Sequence, residues 1–347
     1  MKLRKVVIKN FRSIHELELD LENLSILIGR NNSGKTSIIE AIDILFKVLD
    51  EKLVKEFEIS SVPQEFIPQI ESLTFFSNWG EPITIKAYII FDKGEVPSKL
   101  GEISGFKEIY GAEIEVAIER KNDQLMLKVN NVSLLGYVSS TAIKTKELLK
   151  KEEVLELLGI ENEGLIERVK STRCKIVEKA KVLNQEAFSI IIDLPKNKIH
   201  RILPFADYKT ELNPPLSFIL RPPLISKELV DSIKAVKGDY ELRPRFYEYL
   251  RAIKGTIEEY ERPYDKITLT KLYHGESLDF RSFGGGDQVV EGIIAYILHK
   301  GRGHIFLIEE PEVHLHPAYV KQFAQVLEQI VEKLDVQVIM TTHSPLF

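Results

Sequence analysis

The run Gly29-Arg-Asn-Asn-Ser-Gly34-Lys35-Thr36-Ser37 sets two glycines, a lysine and three hydroxyl side chains at the spacing of a phosphate-binding loop. Glycines at 29 and 34 let the backbone N–H groups of Arg30, Asn31, Asn32 and Ser33 curl round a β-phosphate. Lys35 is then placed to reach the β- and γ-phosphates, and the Thr36 hydroxyl to bind Mg²⁺. A second run, Ile305-Phe-Leu-Ile-Glu309-Glu310-Pro-Glu312, ends an apolar stretch in consecutive carboxylates. Glu309 is the metal-side residue and Glu310 the general base or water-orienting residue. In a third run, Val338-Ile-Met-Thr-Thr-His343-Ser-Pro, the His343 imidazole is placed to hydrogen-bond a γ-phosphate and report its presence. The fourth, Ser282-Phe-Gly284-Gly285-Gly286-Asp-Gln, exposes further N–H groups ahead of a helix. One nucleotide has no need of two such helix starts. The economical reading is that the second loop contacts ATP held by another copy of the chain. Each piece also has a plainer reading: a glycine turn with a solvated lysine, an acidic turn, a structural histidine, a hinge.

Positioning these residues requires regular elements. Residues 3–9 and 24–28 read as strands, and apolar positions 38, 39, 42, 45, 46 and 49 have the period of a helix packed on one face. Strand, glycine loop and helix thus open an α/β unit in which the helix N-terminus adds its unpaired N–H groups to phosphate binding. Residues 60–82 read as an irregular connection; 83–91, 112–120 and 124–129 read as an antiparallel section punctuated by glycines. Stretches 141–158 and 161–182, rich in Lys, Glu and Leu, read as helices, and 187–193 as a strand. Eight prolines break up 195–265, which reads as a helical insertion with pieces at 224–237 and 245–260. The α/β pattern returns in a helix over 286–299, a strand over 304–308, a helix over 317–334 and a strand over 336–341.

Composition bounds the class. The chain has 347 residues, 44% hydrophobic and 29% charged, enough for a sizeable core and for one large or two ordinary domains. Cys174 is the single cysteine, which excludes an internal disulfide and a cysteine-rich zinc site and fits a reducing compartment. No apolar run approaches the roughly 20 residues of a membrane span, and the opening residues turn polar too soon for a signal peptide, so the expected location is cytoplasmic without membrane insertion. A net charge of −5 argues against a wholly basic surface but leaves room for a local basic groove. Lys2, Arg4, Lys5, Lys9 and Arg12 form a modest basic cluster that either contacts nucleic-acid phosphates or lines a solvated strand edge.

Together these residues resemble the ABC-type ATPases of the SMC and RecF group, most closely the overcoming-lysogenization-defect (OLD) family. The resemblance lies in Ile8-Lys-Asn-Phe-Arg-Ser-Ile14 and Leu27–Ile42 at one end. At the other it lies in Ile308-Glu-Glu-Pro-Glu-Val-His-Leu-His-Pro317 and Thr341-Thr-His-Ser-Pro345. It implies an α/β P-loop NTPase fold of ABC-ATPase type: a mixed central sheet, an attached antiparallel β section and a helical insertion. The expected division is 1–135 and 275–347 as the two parts of the ATPase head, with 136–274 as the mainly helical insertion. It further implies that Lys35 holds phosphate, Thr36 and Glu309 hold Mg²⁺, Glu310 is the catalytic base and His343 senses the γ-phosphate. Residues 314–317 fall at the family's dimer-contacting segment. The expected glutamine ligand to Mg²⁺ is Gln64, with Gln69 as the other candidate.

Two departures stand out. Gly284 occupies the place of the signature serine, with Ser282 the nearest serine, which shifts contact with a partner's γ-phosphate to backbone N–H groups and implies slower catalysis. Glu309 replaces the commoner aspartate, and its longer side chain reaches Mg²⁺ after a small backbone adjustment. The implied function is Mg²⁺-dependent hydrolysis of ATP by a homodimer of heads, controlling DNA or an associated nuclease. Alternatives are a signalling or antiphage ATPase acting on a protein partner without DNA, and an ATP-gated dimerisation scaffold with little turnover. The family often continues into a Toprim nuclease domain beyond the point where this sequence stops, four residues after His343. The expectation is therefore either a head working with a separate effector or a fragment of a longer protein.

Overall fold

The structure is a computed structural model and describes residues 2–48, 81–91, 106–121, 124–139, 174–182, 185–193, 217–220, 227–255, 270–273, 276–279, 285–301, 303–313 and 315–347. Its chain divides into two compact units, Met1–Leu21 with Ile44–Pro215, and Glu22–Asp43 with Leu216–Phe347.

The first unit is built on a seven-stranded antiparallel sheet. Its strands are β1 (Lys2–Phe11), β2 (Ile14–Asp20), β4 (Ile83–Ile90), β5 (Phe106–Lys121), β6 (Gln124–Ser139), β7 (Cys174–Val182) and β8 (Gln185–Asp193), in the order β2-β1-β4-β5-β6-β8-β7. Alternation sets its faces. In β4, Ile83, Ile85, Ala87 and Ile89 are buried while the residues between them are not. In β1 the register against β4 shifts between Leu3 and Lys5, and this irregularity lets Leu3, Val6, Ile8 and Phe11 all be buried. The opposite face is charged. Lys5 pairs with Glu18 and lies 3.9 Å from Asp20, Lys9 pairs with Glu16 at 2.6 Å, and Lys86 pairs with Glu113 at 2.7 Å. Hydrogen bonds to Glu18 and Glu16 raise the pKa values of Lys5 and Lys9. The N-terminal basic cluster therefore spends two of its lysines on cross-strand acids, and a third, Lys2, is buried.

The second unit is α/β. A four-stranded parallel sheet runs β3 (Leu24–Ile28), β13 (Gln337–Thr342), β12 (Ile305–Glu309), β9 (Ser217–Leu220). Helix α1 (Lys35–Val48) follows β3. Helices α2 (Lys227–Gly238), α3 (Leu242–Lys254), α4 (Gly285–Lys300) and α5 (Pro317–Leu334) share one apolar cluster with β12 and β13, and β10 (Thr270–Tyr273) pairs with β11 (Glu276–Asp279) as a hairpin. Pro317 occupies the first turn of α5, where a missing N–H costs nothing, and the preceding His316 caps it by accepting from Ala318 N–H through Nδ1 at 3.2 Å. Val320, Phe323, Val326, Leu327, Ile330 and Val331 form its buried stripe, and left-handed Asp335 ends it. Helix α4 is buried along most of its length, and its Glu291, fully buried, is paired with Lys254 of α3 at 2.9 Å.

Several expectations change. Among the described residues the parallel strands form a sheet of four, and the antiparallel strands a sheet of seven and a two-stranded hairpin. Residues 174–182 are strand β7, not the end of a helix, because they pair along their length with β8. The 136–274 segment expected to be mainly helical supplies β7, β8 and β9 as well as α2 and α3, and the unit boundaries fall at 21/22, 43/44 and 215/216. Strand β2 was not expected; it is a polar edge strand whose exposed acids pair with β1. The helix read at 141–158 and most of the connection at 60–82 lie outside the described residues.

A Cβ at Gly111 would stand 2.4 Å from the Ile89 carbonyl oxygen across the β4–β5 pair, too close for that backbone to remain in place. Gly111→Ala is expected to destabilise the protein by about 1–3 kcal/mol, read as a lower urea midpoint. An unchanged midpoint would contradict the close packing of these strands.

Candidate active site

Strands β3, β13 and β12 lie side by side and parallel, so their carboxyl ends open on one edge of the sheet, the place where open α/β sheets bind ligands. The register is specific. Ile28 lies opposite Thr342, Leu27 opposite Thr341, and Thr341 opposite Glu309. Three chain segments far apart in sequence thus emerge together: the glycine loop, the acidic turn and His343.

The loop is shaped by its backbone. Asn32 (φ 61) and Gly34 (φ 91) occupy the left-handed region, which asparagine tolerates and glycine adopts freely. Ser33 N–H donates to the Arg30 carbonyl at 3.3 Å, and Ile38 N–H donates to that of Gly34 at 3.0 Å, so α1 begins without a gap. At Gly29 a Cβ would lie 2.8 Å from Ser33 Oγ, so the loop folds closely on itself there. Arg30, Asn31, Asn32, Ser33 and Thr36 are exposed, while Lys35 and Ser37 are buried. The Lys35 ammonium donates to the Gly29 carbonyl at 2.7 Å and to that of Arg30 at 2.9 Å, and so turns back over its own loop.

At the end of β12, Glu309 closes the strand and Glu310 leaves it with φ 45. The Glu310 N–H donates to the Thr341 carbonyl at 2.9 Å and approaches its hydroxyl at 3.3 Å. Beyond Pro311 the chain turns, with Val313 N–H donating to the Glu310 carbonyl at 3.1 Å and Leu315 N–H to that of Glu312 at 2.8 Å. Glu312 faces back to β13. Its Oε1 accepts from the Thr342 hydroxyl and from the His343 N–H, both at 2.6 Å.

His343 stands between the other two segments. Its Nδ1 is 3.5 Å from Lys35 Nζ and its Nε2 is 2.8 Å from Glu310 Oε1. An ammonium only donates, so Nδ1 accepts, and Nε2 carries the hydrogen that goes to the carboxylate. The outcome is a hydrogen-bonded line, Lys35–His343–Glu310, beside a loop whose residues Arg30, Asn31, Asn32 and Ser33 are exposed.

Lys35, Thr36, Glu309, Glu310 and His343 thus share one edge of one sheet. Gly285 and Gly286 form the first residues of α4. Ser282, Gly284, the glutamines Gln64 and Gln69, and His314 lie outside the described residues. His316, placed by resemblance in a dimer-contacting segment, caps α5. Sequence reasoning gave no role to Glu312, Thr341 or Thr342. The available signal was a third carboxylate beside Pro311, since a turn there sends the next side chain back toward the strand it has just left.

The fold and this edge define a P-loop ATPase. The chain belongs to the AAA ATPase domain family, which matches residues 1–347. It is 22% identical to the OLD nuclease of Thermus scotoductus over 363 aligned residues, covering 99% of this chain and 59% of that protein. It is 41% identical to the DNA replication and repair protein RecF of Lactococcus lactis over 66 residues, 19% of this chain and 18% of that one. The chain therefore spans less than two thirds of either relative. Among solved structures it is similar to an Smc head domain with an extended coiled coil, bound to the C-terminal domain of ScpA, derived from Pyrococcus furiosus. The TM-score is 0.50 at 12% identity, over 99% of this chain and 90% of that one, a likeness of fold.

Lys35→Ala is expected to weaken ATP binding about 10- to 100-fold, the range for losing hydrogen bonds from a charged group, in a titration with a fluorescent ATP analogue. Unchanged affinity would remove the loop from the binding site.

Proposed function

We propose that this chain binds ATP with Mg²⁺ at the common end of β3, β13 and β12 and hydrolyses it to ADP and phosphate. The observation that carries the proposal is the Lys35–His343–Glu310 line, which joins a phosphate-type loop to a carboxylate through one imidazole. The donor set fits the ligand. Exposed residues in a loop shaped by Gly34, a lysine whose hydrogen bonds are lent to its own loop, and the exposed Thr36 match a polyphosphate with its cation. Among the described residues no group of three or more His, Cys, Asp or Glu forms a ready cage, which suits a Mg²⁺ that keeps water and shares phosphate oxygens.

Thr36 and Glu309 would hold the ion, which supplies charge neutralisation on the phosphate oxygens when bound. Lys35 exchanges the Gly29 and Arg30 carbonyls for phosphate oxygens, a swap of neutral acceptors for anionic ones. Glu310 orients the attacking water and takes its proton. His343 fixes the direction of the Glu310 carboxylate through Nε2 and presents Nδ1 toward the place where Lys35 meets the γ-phosphate.

Two copies closing on two nucleotides, each offering the loop around Ser282, Gly284, Gly285 and Gly286 to the other's ATP, is the proposed working state. The relatives named for DNA replication and repair and for nuclease activity support a role in DNA transactions or in controlling a nuclease in the cytoplasm. Among the described residues no helix is long and apolar enough to cross a membrane. A second reading, an ATPase that acts on a protein partner without DNA, is favoured by one observation: Lys5 and Lys9 of the N-terminal cluster are already paired with Glu18 and Glu16.

Glu310→Gln is expected to cut ATP turnover about 100-fold or more, the usual share of a general base, while keeping ATP affinity and holding an ATP-dependent dimer on a sizing column. Equal turnover in both proteins would sink the catalytic assignment. Stimulation of the wild type by linear DNA separates the two readings.

A further inference from the structure

We infer that Glu312 is a positioning residue for the hydrolytic site: its carboxylate clamps the end of β13 to the acidic turn and so sets the His343 imidazole between Lys35 and Glu310. The two bonds that do this are short and made by one oxygen. Glu312 Oε1 accepts from the Thr342 hydroxyl and from the His343 backbone N–H, each at 2.6 Å. Thr342 is itself buried, and its hydroxyl oxygen in turn accepts from Ser344 N–H at 2.9 Å, so the clamp grips the backbone on both sides of His343. The turn that carries Glu312 is fixed from its other end, because Glu310 N–H donates to the Thr341 carbonyl and Leu315 N–H to the Glu312 carbonyl. Residues 341–343 are thus tied to Glu310 and Glu312 on either side of Pro311.

The geometry explains why a carboxylate serves here. His343 follows the last residue of β13, where the strand ladder no longer determines direction. A charged acceptor for a main-chain N–H is about twice as strong as a neutral one. Glu312 Oε2 is buried and accepts no hydrogen bond among the described residues, so the holding function rests on Oε1. An amide side chain presents the same carbonyl-type oxygen, which makes Glu312→Gln the conservative replacement and Glu312→Ala the disruptive one.

This role rests on the proposed hydrolysis for its kinetic consequence, but the placement of the ring can be read without it. The experiment uses the full chain labelled with ¹⁵N-histidine, with the His343 signal identified by its loss in His343→Gln. In nucleotide-free wild type the ring is expected to show a protonated Nε2 and an unprotonated Nδ1. Glu312→Gln is expected to keep that pattern and most of the turnover. Glu312→Ala is expected to average the two nitrogen signals and to lower kcat roughly 100-fold, the cost of misplacing a catalytic group by about 1 Å, with KM for ATP little changed. Should Glu312→Ala fail to fold by its thermal midpoint, Thr342→Val removes one of the two bonds at a buried near-isosteric site and is expected to give an intermediate loss in both readouts.

An unaltered ring spectrum in Glu312→Ala or, where that variant does not fold, in Thr342→Val would overturn the inference. So would a Glu312→Gln protein as impaired as Glu312→Ala, which would assign Glu312 a charge or metal role instead. Absence of ATP turnover in wild type would defeat the hydrolysis proposal alone, and the ring spectra would still decide the role of Glu312.

Discussion

The site depends on register across three parallel strands. Thr341 is opposite Leu27 on one side and Glu309 on the other, and these pairings alone put the glycine loop, the acidic turn and His343 on a single edge. A slip of one residue in β13 would turn Thr341 and Thr342 to opposite faces and carry His343 away from both partners. Strands β12 and β13 are buried throughout Ile305–Ile308 and Val338–Met340, and β13 is paired on both sides, so its register is held by two backbone ladders inside the core.

Hydrophobic pairing fixes register but says little about the polar residues just beyond each strand. Those are held by hydrogen bonds. Glu310 in a left-handed conformation bonds to Thr341, and Glu312 bonds to Thr342 and His343, so a turn that would otherwise be loosely directed is tied to the neighbouring strand. Such tying satisfies the buried hydroxyls of Thr341 and Thr342, which would be costly if left unpaired. Lys35 meanwhile donates to the neutral carbonyls of its own loop and approaches His343.

Much of this unit was legible in the sequence because its signals are local. Helix α5 matched its reading of 317–334, since Pro317 marks the start and the apolar stripe has one period; the phosphate loop is a contiguous pattern. What escaped depends on distant partners. The Lys- and Glu-rich run ending at Val182 carries helical composition, yet Cys174–Val182 is a strand because β8 pairs with it. Ser217–Leu220, a four-residue strand between proline pairs 214–215 and 222–223, gains its identity only beside β12. Glu312 was visible as a third acid, but its use required knowing which strand lies next to the turn. The N-terminal lysines carry the opposite lesson: a basic cluster in sequence became a set of cross-strand ion pairs once β2 was in place, and exposed pairs of this kind add little stability.

In the proposed enzyme, phosphate binding and water activation meet where β3, β13 and β12 end. A crystal structure of the protein with Mg²⁺ and a non-hydrolysable ATP analogue tests it most directly. Phosphate oxygens are expected within hydrogen-bonding distance of Lys35 Nζ and the loop N–H groups, with Lys35 released from the Gly29 and Arg30 carbonyls and Glu310 still bonded to His343. An analogue bound elsewhere, or a Lys35 that keeps both carbonyls with nucleotide present, would contradict it.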